Sequence, residues 1–376
     1  MKILHIGNLC NNSFKLARFQ RALGADARLR LEEVQIGTND DPAWEDTAFS
    51  NGYPDWIEVR SASRSSVLSR MGKIVRAITV GAPKIKGIDI LHAQCTAPIE
   101  AQFRAPEYFV AHCLGSDLRE LAFSHTLYGY LLRRAYRKAR IIYFNNIDHI
   151  DYLERLGLEG HFLPNPLDLD RIHPTPPSIR FHGYDFVIFH PTAHDWTYHG
   201  SSRSSTKGND RLIRAFARFL NDRPHALLVM IRSGIDITAT ETLIQELRIG
   251  DNVKLVERLS KTDLINYLNS ADVVADQFDV GAFGGTAIET LACAKPLITY
   301  LKEDPARRCY GDIPPIFNGR TVDQIEIALR KSADCDRQVR GAASRAWTER
   351  HHHWKHVVEN VLAQYETVLA GGAVVA

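Results

Sequence analysis

The chain has 376 residues, which favours two domains because one domain usually holds about 100–200 residues. Hydrophobic residues make up 45% of it, as in ordinary globular proteins, and the net charge of +2 is too balanced for nucleic-acid binding to be the main task. The six cysteines are scattered, which favours reduced thiols over disulfides or a metal site. No apolar run approaches the ~20 residues that span a bilayer, and the N-terminus lacks a secretory signal pattern, so we expect a cytoplasmic protein.

The first half alternates short apolar runs with amphipathic stretches. Apolar residues recur at helical spacing from Phe14 to Leu23, and Gly24 ends this predicted helix. The predicted strands are Ile3–Ile6, Ile88–Ala93, Tyr108–Cys113 and Ile141–Phe144. Continuous apolar strands that alternate with helices predict a parallel, doubly wound sheet covered on both faces.

A proline-rich stretch, His161–Pro177, reads as a linker, and the same alternation restarts after it. The second set of predicted strands is Phe186–His190, Ala226–Ile231, Val253–Val256, Val273–Ala275 and Leu297–Tyr300. The predicted helices are Asp210–Leu220, Ala239–Leu247, Lys261–Asn269, Thr286–Cys293 and a long last helix over Ala343–Leu369. Ligands of such sheets bind at the carboxyl ends of the strands, so we expect two sheets whose sites face each other across a cleft.

The segment from Asp276 to Glu289 carries the strongest chemical signal. A strand runs into a loop with three glycines, and a helix is expected to begin near Thr286. Glycines let the backbone approach a ligand, and a helix N-terminus favours a diphosphate. Glu289, expected in the first turn, could accept hydrogen bonds from ribose hydroxyls; the alternative is a plain glycine turn with Glu289 complementing the helix dipole.

A second polar loop follows the strand Phe186–His190. It holds Thr192, Arg203 and Lys207, and the two cations could neutralise a leaving diphosphate without a metal. The alternative is that both are solvated loop cations. Arg232, directly after the next predicted strand, is a further candidate for the diphosphate.

Several segments, in this order, resemble motifs of the retaining glycosyltransferases with the GT-B fold, in particular the large family-4 group. The first strand and its loop with Asn8 match the family's opening, and Lys207-Gly208 resembles its Lys-Gly pair. The other matching segments are His112-Cys-Leu-Gly-Ser-Asp-Leu-Arg119, Pro164-Asn-Pro-Leu-Asp168, Gly281–Glu289 and Ala292-Cys-Ala-Lys-Pro296.

The resemblance implies two Rossmann-like α/β domains in the GT-B arrangement: an acceptor-side domain over 1–168, a donor domain over 169–342, and a helix over 343–376 that returns to the first. It implies transfer from a UDP- or GDP-sugar to a glycan or lipid-linked glycan, with retained configuration and no metal or other cofactor. The implied catalytic residues are His112, Asp117 and Lys207, and the implied donor-binding residues are Asn8, Thr192, Arg203, Gly208, Arg232, Asp276, Gln277, Gly281, Phe283, Gly284, Gly285 and Glu289.

The chain also departs from the family pattern. Gly281 stands where the family commonly has a first glutamate, and Asp276 and Gln277 could supply its contacts to the donor sugar. Ala294 replaces the usual glycine before Lys-Pro and would cost about 1 kcal/mol if that position is left-handed. Pro166 replaces the linker glycine.

Two further features have competing interpretations. Basic residues alternate with apolar ones between Arg60 and Arg76 and cluster over Arg133–Arg140; they predict either a peripheral membrane surface or an ordinary solvated helix face. The run His351–His353 lies on a predicted helix, where consecutive side chains point apart, so a packing role is favoured over a metal site.

Three functions are compatible with these patterns. The first is the glycosyltransferase. The second is an inactive relative that binds nucleotide or glycan as a partner subunit, which the loss of a glutamate at Gly281 would support. The third is a nucleotide-sugar epimerase or a dinucleotide oxidoreductase, although the first loop lacks the G-x-G-x-x-G pattern of the latter.

Overall fold

A computed structural model describes residues 1–60, 82–105, 107–197 and 206–374. The chain forms two compact units: unit 1 is Met1–Pro166 together with Trp354–Ala376, and unit 2 is Leu167–His353. Each unit is built on one parallel sheet. The two Rossmann-like, doubly wound α/β domains predicted from the sequence are therefore confirmed. Helices are numbered in chain order among the described residues.

Unit 1 contains a seven-stranded sheet with the order β3-β2-β1-β4-β5-β6-β7. Its middle strands are almost fully buried because helices cover them, which explains their continuous apolar sequences. The strands are β1 Lys2–Ile6, β2 Asp26–Glu32, β3 Ile57–Arg60, β4 Ile90–Gln94, β5 Tyr108–Cys113, β6 Ile141–Phe144 and β7 His161–Phe162. The helices are α1 Asn12–Ala22, α2 Pro42–Glu45, α3 Pro98–Arg104, α4 Ser116–Arg119, α5 Leu127–Lys138 and α6 His149–Arg155.

Unit 2 contains a six-stranded sheet with the order β10-β9-β8-β11-β12-β13. Its core joins apolar residues of β8, β9 and β11 to the apolar face of the helix that follows β8. The strands are β8 Phe186–His190, β9 Ala226–Ile231, β10 Val253–Val256, β11 Val273–Ala275, β12 Leu297–Thr299 and β13 Phe317–Asn318. The helices are α7 Asn209–Phe219, α8 Ile237–Glu246, α9 Lys261–Ser270, α10 Gly285–Ala292, α11 Glu303–Tyr310, α12 Val322–Asp334 and α13 Arg337–His352.

The end of the chain differs from the prediction of one long helix over 343–369. The extended backbone of His353 (ψ 118°) ends α13, and a separate helix, α14, spans Trp354–Leu369. Helix α13 belongs to unit 2, because Arg345 donates hydrogen bonds to the carbonyls of Ile172 and Ala292. The segment that packs in unit 1 therefore begins at Trp354, whose ring stacks on Phe19 at 4.9 Å, and not at residue 343.

The predicted linker over 161–177 is also not wholly irregular. His161–Phe162 forms the edge strand β7 beside β6, and the backbone N–H of Leu163 donates to the carbonyl of Phe144 at 2.8 Å. The division between the units falls between Pro166 and Leu167. The prolines that suggested a linker lie on both sides of this point.

Three of the basic residues clustered over Arg133–Arg140 are held by hydrogen bonds, whereas Arg137 and Lys138 of α5 are exposed. Arg133 donates to the carbonyl of Ala122 at 2.6 Å, Arg134 donates to Gln102 at 2.6 Å, and Arg140 donates to the carbonyl of Gly372 at 2.8 Å. Apart from Arg60, the predicted basic stretch that ends at Arg76 lies outside the described residues. No helix in the described part of the chain is long and apolar enough to cross a bilayer. The cytoplasmic location stays a prediction.

Candidate donor site in unit 2

A buried histidine ties together the strand ends that form the site. His190, the last residue of β8, has its Nδ1 2.7 Å from the carbonyl of Ala275 at the end of β11. Its Nε2 accepts a hydrogen bond from Asn209, the first residue of α7, at 2.8 Å. Burial lowers the pKa of His190 to about 3, so the ring is neutral at pH 7 and holds both bonds. The sequence alone did not assign His190 a role.

The predicted residues Thr192, Lys207, Asp276 and Gln277 come together at this edge of the sheet. The Thr192 hydroxyl donates to Asp276 Oδ1 at 2.7 Å, and the Lys207 ammonium donates to Gln277 Oε1 at 3.1 Å. Asp276 is 4% exposed, and burial raises the pKa of its carboxyl group against the opposing effects of Thr192 and Lys207. Asp276 Oδ2 is buried and has no hydrogen-bond partner among the described residues.

The position of Lys207 follows from the backbone around it. The Lys207 carbonyl accepts a hydrogen bond from the N–H of Phe278 at 2.7 Å, which links the two loops. The next residue, Gly208, is left-handed (φ +71°), and a Cβ there would lie 3.1 Å from Phe278 Cβ. A glycine is therefore required for this close approach. Gly208 caps α7 and holds Lys207 beside Gln277.

The glycine loop lies directly beside these residues. The Gln277 amide donates to the carbonyl of Ala282 at 2.6 Å, and a Cβ at Gly284 would lie 3.6 Å from Asp276 Oδ2. Gly284 caps α10 and Gly285 is its first residue, where an added Cβ would point into open space. The first N–H groups of α10 therefore begin beside the Asp276 carboxylate.

Gly281 and Phe283 have structural roles in the same loop. Gly281 is left-handed (φ +80°), and a Cβ there would lie 2.8 Å from both Lys302 Cγ and Tyr300 Cε1. A glutamate therefore cannot replace it without a local rearrangement. Phe283 is buried and packs edge-on against Trp347 of α13 at 6.1 Å, so its ring anchors the loop to the core of unit 2.

Glu289 lies in the second turn of α10, not in the first turn as predicted, because the helix already begins at Gly285. Its side chain is 2% exposed and forms an ion pair with Lys261, the first residue of α9, with 2.5 Å between Nζ and Oε1. Glu289 Oε2 is buried and has no hydrogen-bond partner among the described residues. Lys261 is a site residue that sequence reasoning missed, because no local pattern connects it to a carboxylate 28 positions away.

Of the other two predicted cations, only Arg232 lies within the described residues. The Arg232 side chain is half-exposed and forms an ion pair with Glu241 of α8 at 2.6 Å. Arg203 lies outside the described residues. In the described part of the chain, no three His, Cys, Asp or Glu side chains are grouped so that they could hold a metal ion.

In unit 1, the predicted residue His112 belongs to a buried polar cluster. Its Nδ1 is 3.1 Å from Nε2 of His92 and 3.4 Å from the amide nitrogen of Gln94. Burial lowers the pKa of His112 to about 3, so the ring is neutral. Its Nε2 is buried and has no hydrogen-bond partner among the described residues.

Asp117 and Asn8 are engaged in local bonds of unit 1. Asp117 Oδ1 accepts the N–H of Gly115 at 2.6 Å, and Oδ2 accepts the Tyr136 hydroxyl at 3.1 Å. Burial raises the pKa of Asp117 against these bonds. Asn8 Oδ1 accepts the N–H of Phe14 at 2.9 Å, and the Asn8 side-chain amide donates to the backbone carbonyl of Asp40 at 2.6 Å. Both side chains hold the loops that follow β5 and β1.

Comparison with known proteins shows which proteins this part of the chain resembles. Residues 199–308 match the family model described as "Glycosyl transferases group 1". This match covers less than a third of the chain. It contains Lys207, the glycine loop and Glu289, whereas His190 and Thr192 precede it.

Two curated relatives resemble part of the chain. A GDP-mannose-dependent monoacylated alpha-(1-6)-phosphatidylinositol monomannoside mannosyltransferase of Corynebacterium glutamicum is 29% identical over 164 residues, which are 41% of this chain and 42% of that protein. A D-inositol 3-phosphate glycosyltransferase of Mycolicibacterium smegmatis is 30% identical over 176 residues, 44% of this chain and 38% of that protein. The chain thus spans about two fifths of the length of these glycosyltransferases.

A solved structure resembles the whole chain. Anabaena Alr3699/HepE in complex with UDP and glucose superimposes with a TM-score of 0.71 at 17% identity, and the match covers 98% of this chain and 100% of that one. This likeness shows the fold, which is the predicted GT-B architecture of two Rossmann-like domains.

Proposed function

We propose that this chain is a retaining glycosyltransferase that moves a sugar from a UDP- or GDP-sugar to a glycan or lipid-linked glycan acceptor, with no metal ion or other cofactor. The observation that carries the proposal is the convergence of Lys207, the Asp276-Gln277 pair and the glycine loop at the start of α10. We keep both uridine and guanosine nucleotides as candidate donors, because the Corynebacterium relative is named as GDP-mannose-dependent and the Anabaena structure contains UDP.

The donor diphosphate binds at the N-terminus of α10 in this proposal. The free N–H groups of the first turn and the helix dipole stabilise an anion there, and Gly284 and Gly285 let it approach the backbone. Lys207, beside Gln277, supplies a full positive charge to the departing phosphate. Arg203 and Arg232 are proposed as additional cations for the same group.

The ribose of the donor binds Glu289. One oxygen of this carboxylate is held by Lys261, which fixes the side chain and compensates its charge. The second oxygen, Oε2, has no partner in the described residues and can accept a hydrogen bond from a ribose hydroxyl.

The donor sugar is held by Asp276 and Gln277 in place of the family's first glutamate. The crowding around Gly281 supports this assignment, because a larger side chain at that position would have to displace Lys302 and Tyr300. Asp276 Oδ2 lacks a partner among the described residues, as expected for an oxygen that accepts a bond from a sugar hydroxyl. Thr192 orients the carboxylate through Oδ1.

The acceptor hydroxyl attacks the anomeric carbon from the face on which the diphosphate leaves. The bond between the anomeric carbon and the phosphate oxygen breaks, the new glycosidic bond forms, and the hydroxyl proton passes to an oxygen of the departing phosphate. The configuration is therefore retained. His112 donates a hydrogen bond from Nε2 to a sugar hydroxyl oxygen, while Asp117 and Asn8 hold the loops of unit 1 in place.

The test is incubation of the full chain with a panel of UDP- and GDP-sugars and candidate glycan or lipid-linked acceptors, with EDTA present. The proposal expects release of one nucleoside diphosphate together with a new glycosidic bond of the donor's configuration. This turnover should be lost in Lys207→Ala and unchanged in Glu246→Ala, which replaces an exposed glutamate of α8. Nucleotide binding without turnover would favour the inactive partner subunit, and nucleotide release without a glycosidic bond would favour an epimerase.

A further inference from the structure

A chain of three buried side chains connects the C-terminal helix of unit 1 to His112. The Tyr365 hydroxyl, on α14, is hydrogen-bonded to Nδ1 of His92, on β4. Nε2 of His92 lies 3.1 Å from Nδ1 of His112, at the end of β5. Tyr365 and His92 are fully buried and His112 is 2% exposed. Water therefore cannot replace any of these bonds.

One direction is favoured for the hydrogen bonds of this chain. Burial lowers the pKa of both imidazoles, so each ring is neutral and has one donor and one acceptor nitrogen. The Gln94 amide nitrogen, 3.4 Å from His112 Nδ1, can only donate, which, together with the Tyr365 hydroxyl at the other end, favours Nδ1 as an acceptor. Nε2 of His92 must then carry a hydrogen and donate to His112, and Nδ1 of His92 must accept from the Tyr365 hydroxyl.

We propose that Tyr365 and His92 are positioning residues that hold His112 in the tautomer with its hydrogen on Nε2. This nitrogen is the one without a hydrogen-bond partner in the described residues, so the chain of bonds ends in a buried donor N–H. Such a group is stabilised when an oxygen acceptor, here a sugar hydroxyl, binds to it. The role given to the sugar rests on the proposed function, whereas the tautomer does not.

Removal of the Tyr365 hydroxyl should release the tautomer. In Tyr365→Phe, His92 Nδ1 has no donor, and both rings can exchange their tautomers together. His112 Nδ1 would then donate to His92 Nε2 at the cost of the long 3.4 Å contact from Gln94, and His112 Nε2 would become an acceptor. One hydrogen bond of this kind changes an equilibrium by about tenfold, so we expect the Nε2–H tautomer of His112 to lose its dominance by about that factor.

A matched control is available in the same cluster. Tyr143 is also buried, and its ring centroid lies 6.1 Å from that of His112 and 6.0 Å from that of His92. Its hydroxyl, however, bonds to Gln364 and not to either imidazole. Tyr143→Phe thus removes a buried phenol hydroxyl next to the histidines while leaving their bonds intact.

The direct test is long-range 1H–15N NMR of the full chain labelled with 15N-histidine, which distinguishes the two neutral tautomers. The His112 signals are assigned by their absence in His112→Gln. We expect the Nε2–H tautomer in the wild type and in Tyr143→Phe, and a mixture in Tyr365→Phe. An Nδ1–H tautomer in the wild type, or an unchanged His112 in Tyr365→Phe, would overturn the proposal.

A second variant keeps the test valid if Tyr365→Phe does not fold. His92→Gln retains an amide nitrogen that can donate toward His112 Nδ1, whereas His92→Leu cannot donate. We expect His112 to keep its tautomer in the glutamine variant and to lose it in the leucine variant. The same result in both would contradict the role of His92.

The consequence for activity separates this proposal from the proposed function. With a productive donor and acceptor, Tyr365→Phe should lower kcat about tenfold, the size of one buried hydrogen bond, while nucleoside diphosphate binding and Tyr143→Phe turnover stay at wild-type values. Equal kcat in Tyr365→Phe and the wild type would contradict the positioning role. A wild type without any transfer would refute the function but leave the NMR result to decide the tautomer.

Discussion

Breaking the ion pair between Lys261 and Glu289 should be one of the most destabilising side-chain changes in unit 2. The side chains of this pair are 8% and 2% exposed, and Nζ and Oε1 are 2.5 Å apart. Lys261→Met removes the ammonium group but keeps a flexible apolar stem, so Glu289 is left buried without its counter-charge. Breaking a buried pair in this way typically costs about 3–5 kcal/mol. We expect Lys261→Met to lose that much free energy of unfolding.

The double variant Lys261→Met/Glu289→Leu should recover most of the loss, because an apolar pair of similar size removes both buried charges. The measurement is urea unfolding of the unit 2 transition for the wild type, both single variants and the double variant. Arg307→Met is the matched control, since Arg307 and Glu303 form an exposed pair at 3.9 Å within unit 2. It should change stability by no more than about 0.5 kcal/mol.

The reasoning would be refuted if Lys261→Met lost less than about 1 kcal/mol, the size expected for a surface pair. It would also be refuted if the double variant were no more stable than Lys261→Met, because the cost would then come from lost packing and not from an isolated charge.

Three further predictions concern backbone strain and buried histidines. The backbone of Ala294 is left-handed (φ +54°), a conformation in which an alanine is strained. Ala294→Gly should therefore raise the free energy of unfolding by about 0.5–1 kcal/mol. A lower melting temperature in this variant would contradict the prediction. Gly281→Ala should lower the free energy of unfolding, measured with urea, by about 1–3 kcal/mol more than Gly311→Ala does. Both positions are left-handed, but only Gly281 is crowded by neighbouring side chains. Equal losses in the two variants would contradict this effect of crowding. Burial lowers the pKa of His149 to about 3. Below the ordinary pKa of about 6.5, the unfolded chain therefore binds a proton at this histidine while the folded chain does not. The free energy of unfolding should fall as the pH falls from 6.5 toward 3. His149→Phe should reduce this loss by about 1 kcal/mol per pH unit between pH 6 and 4.5, and an unchanged slope would show that the histidine is not the cause.

The buried central strands could be predicted from sequence because their apolar runs are continuous. Tyr108–Cys113 and Val273–Ala275 were predicted with the bounds that the structure has. The strand Asp26–Glu32 was missed because its alternate residues face solvent and carry charges. The two-residue strands His161–Phe162 and Phe317–Asn318 are too short to show any period.

The residues of the candidate site also divide into those that could be predicted from the sequence and those that could not. Lys207, Asp276 and Glu289 could be named because each stands beside a strand end or a glycine loop with a local signature. Lys261 and Tyr365 could not, because their partners lie 28 and 273 positions away and only the folded units bring them together. Glycines with a left-handed backbone could be recognised from the sequence as loop residues. The neighbouring atoms that crowd them could not be predicted from it.

The central claim is that unit 2 binds the nucleoside diphosphate of a sugar donor through Glu289 and the glycine loop. The most direct measurement is calorimetric titration of the wild type, Glu289→Ala and the control Glu246→Ala with UDP, GDP, ADP and NAD in the presence of EDTA. The account predicts that one of UDP and GDP binds to the wild type and to Glu246→Ala, and that binding is lost in Glu289→Ala at a temperature where circular dichroism shows this variant to be folded. It would be contradicted if no diphosphate bound, or if Glu289→Ala bound as tightly as the wild type.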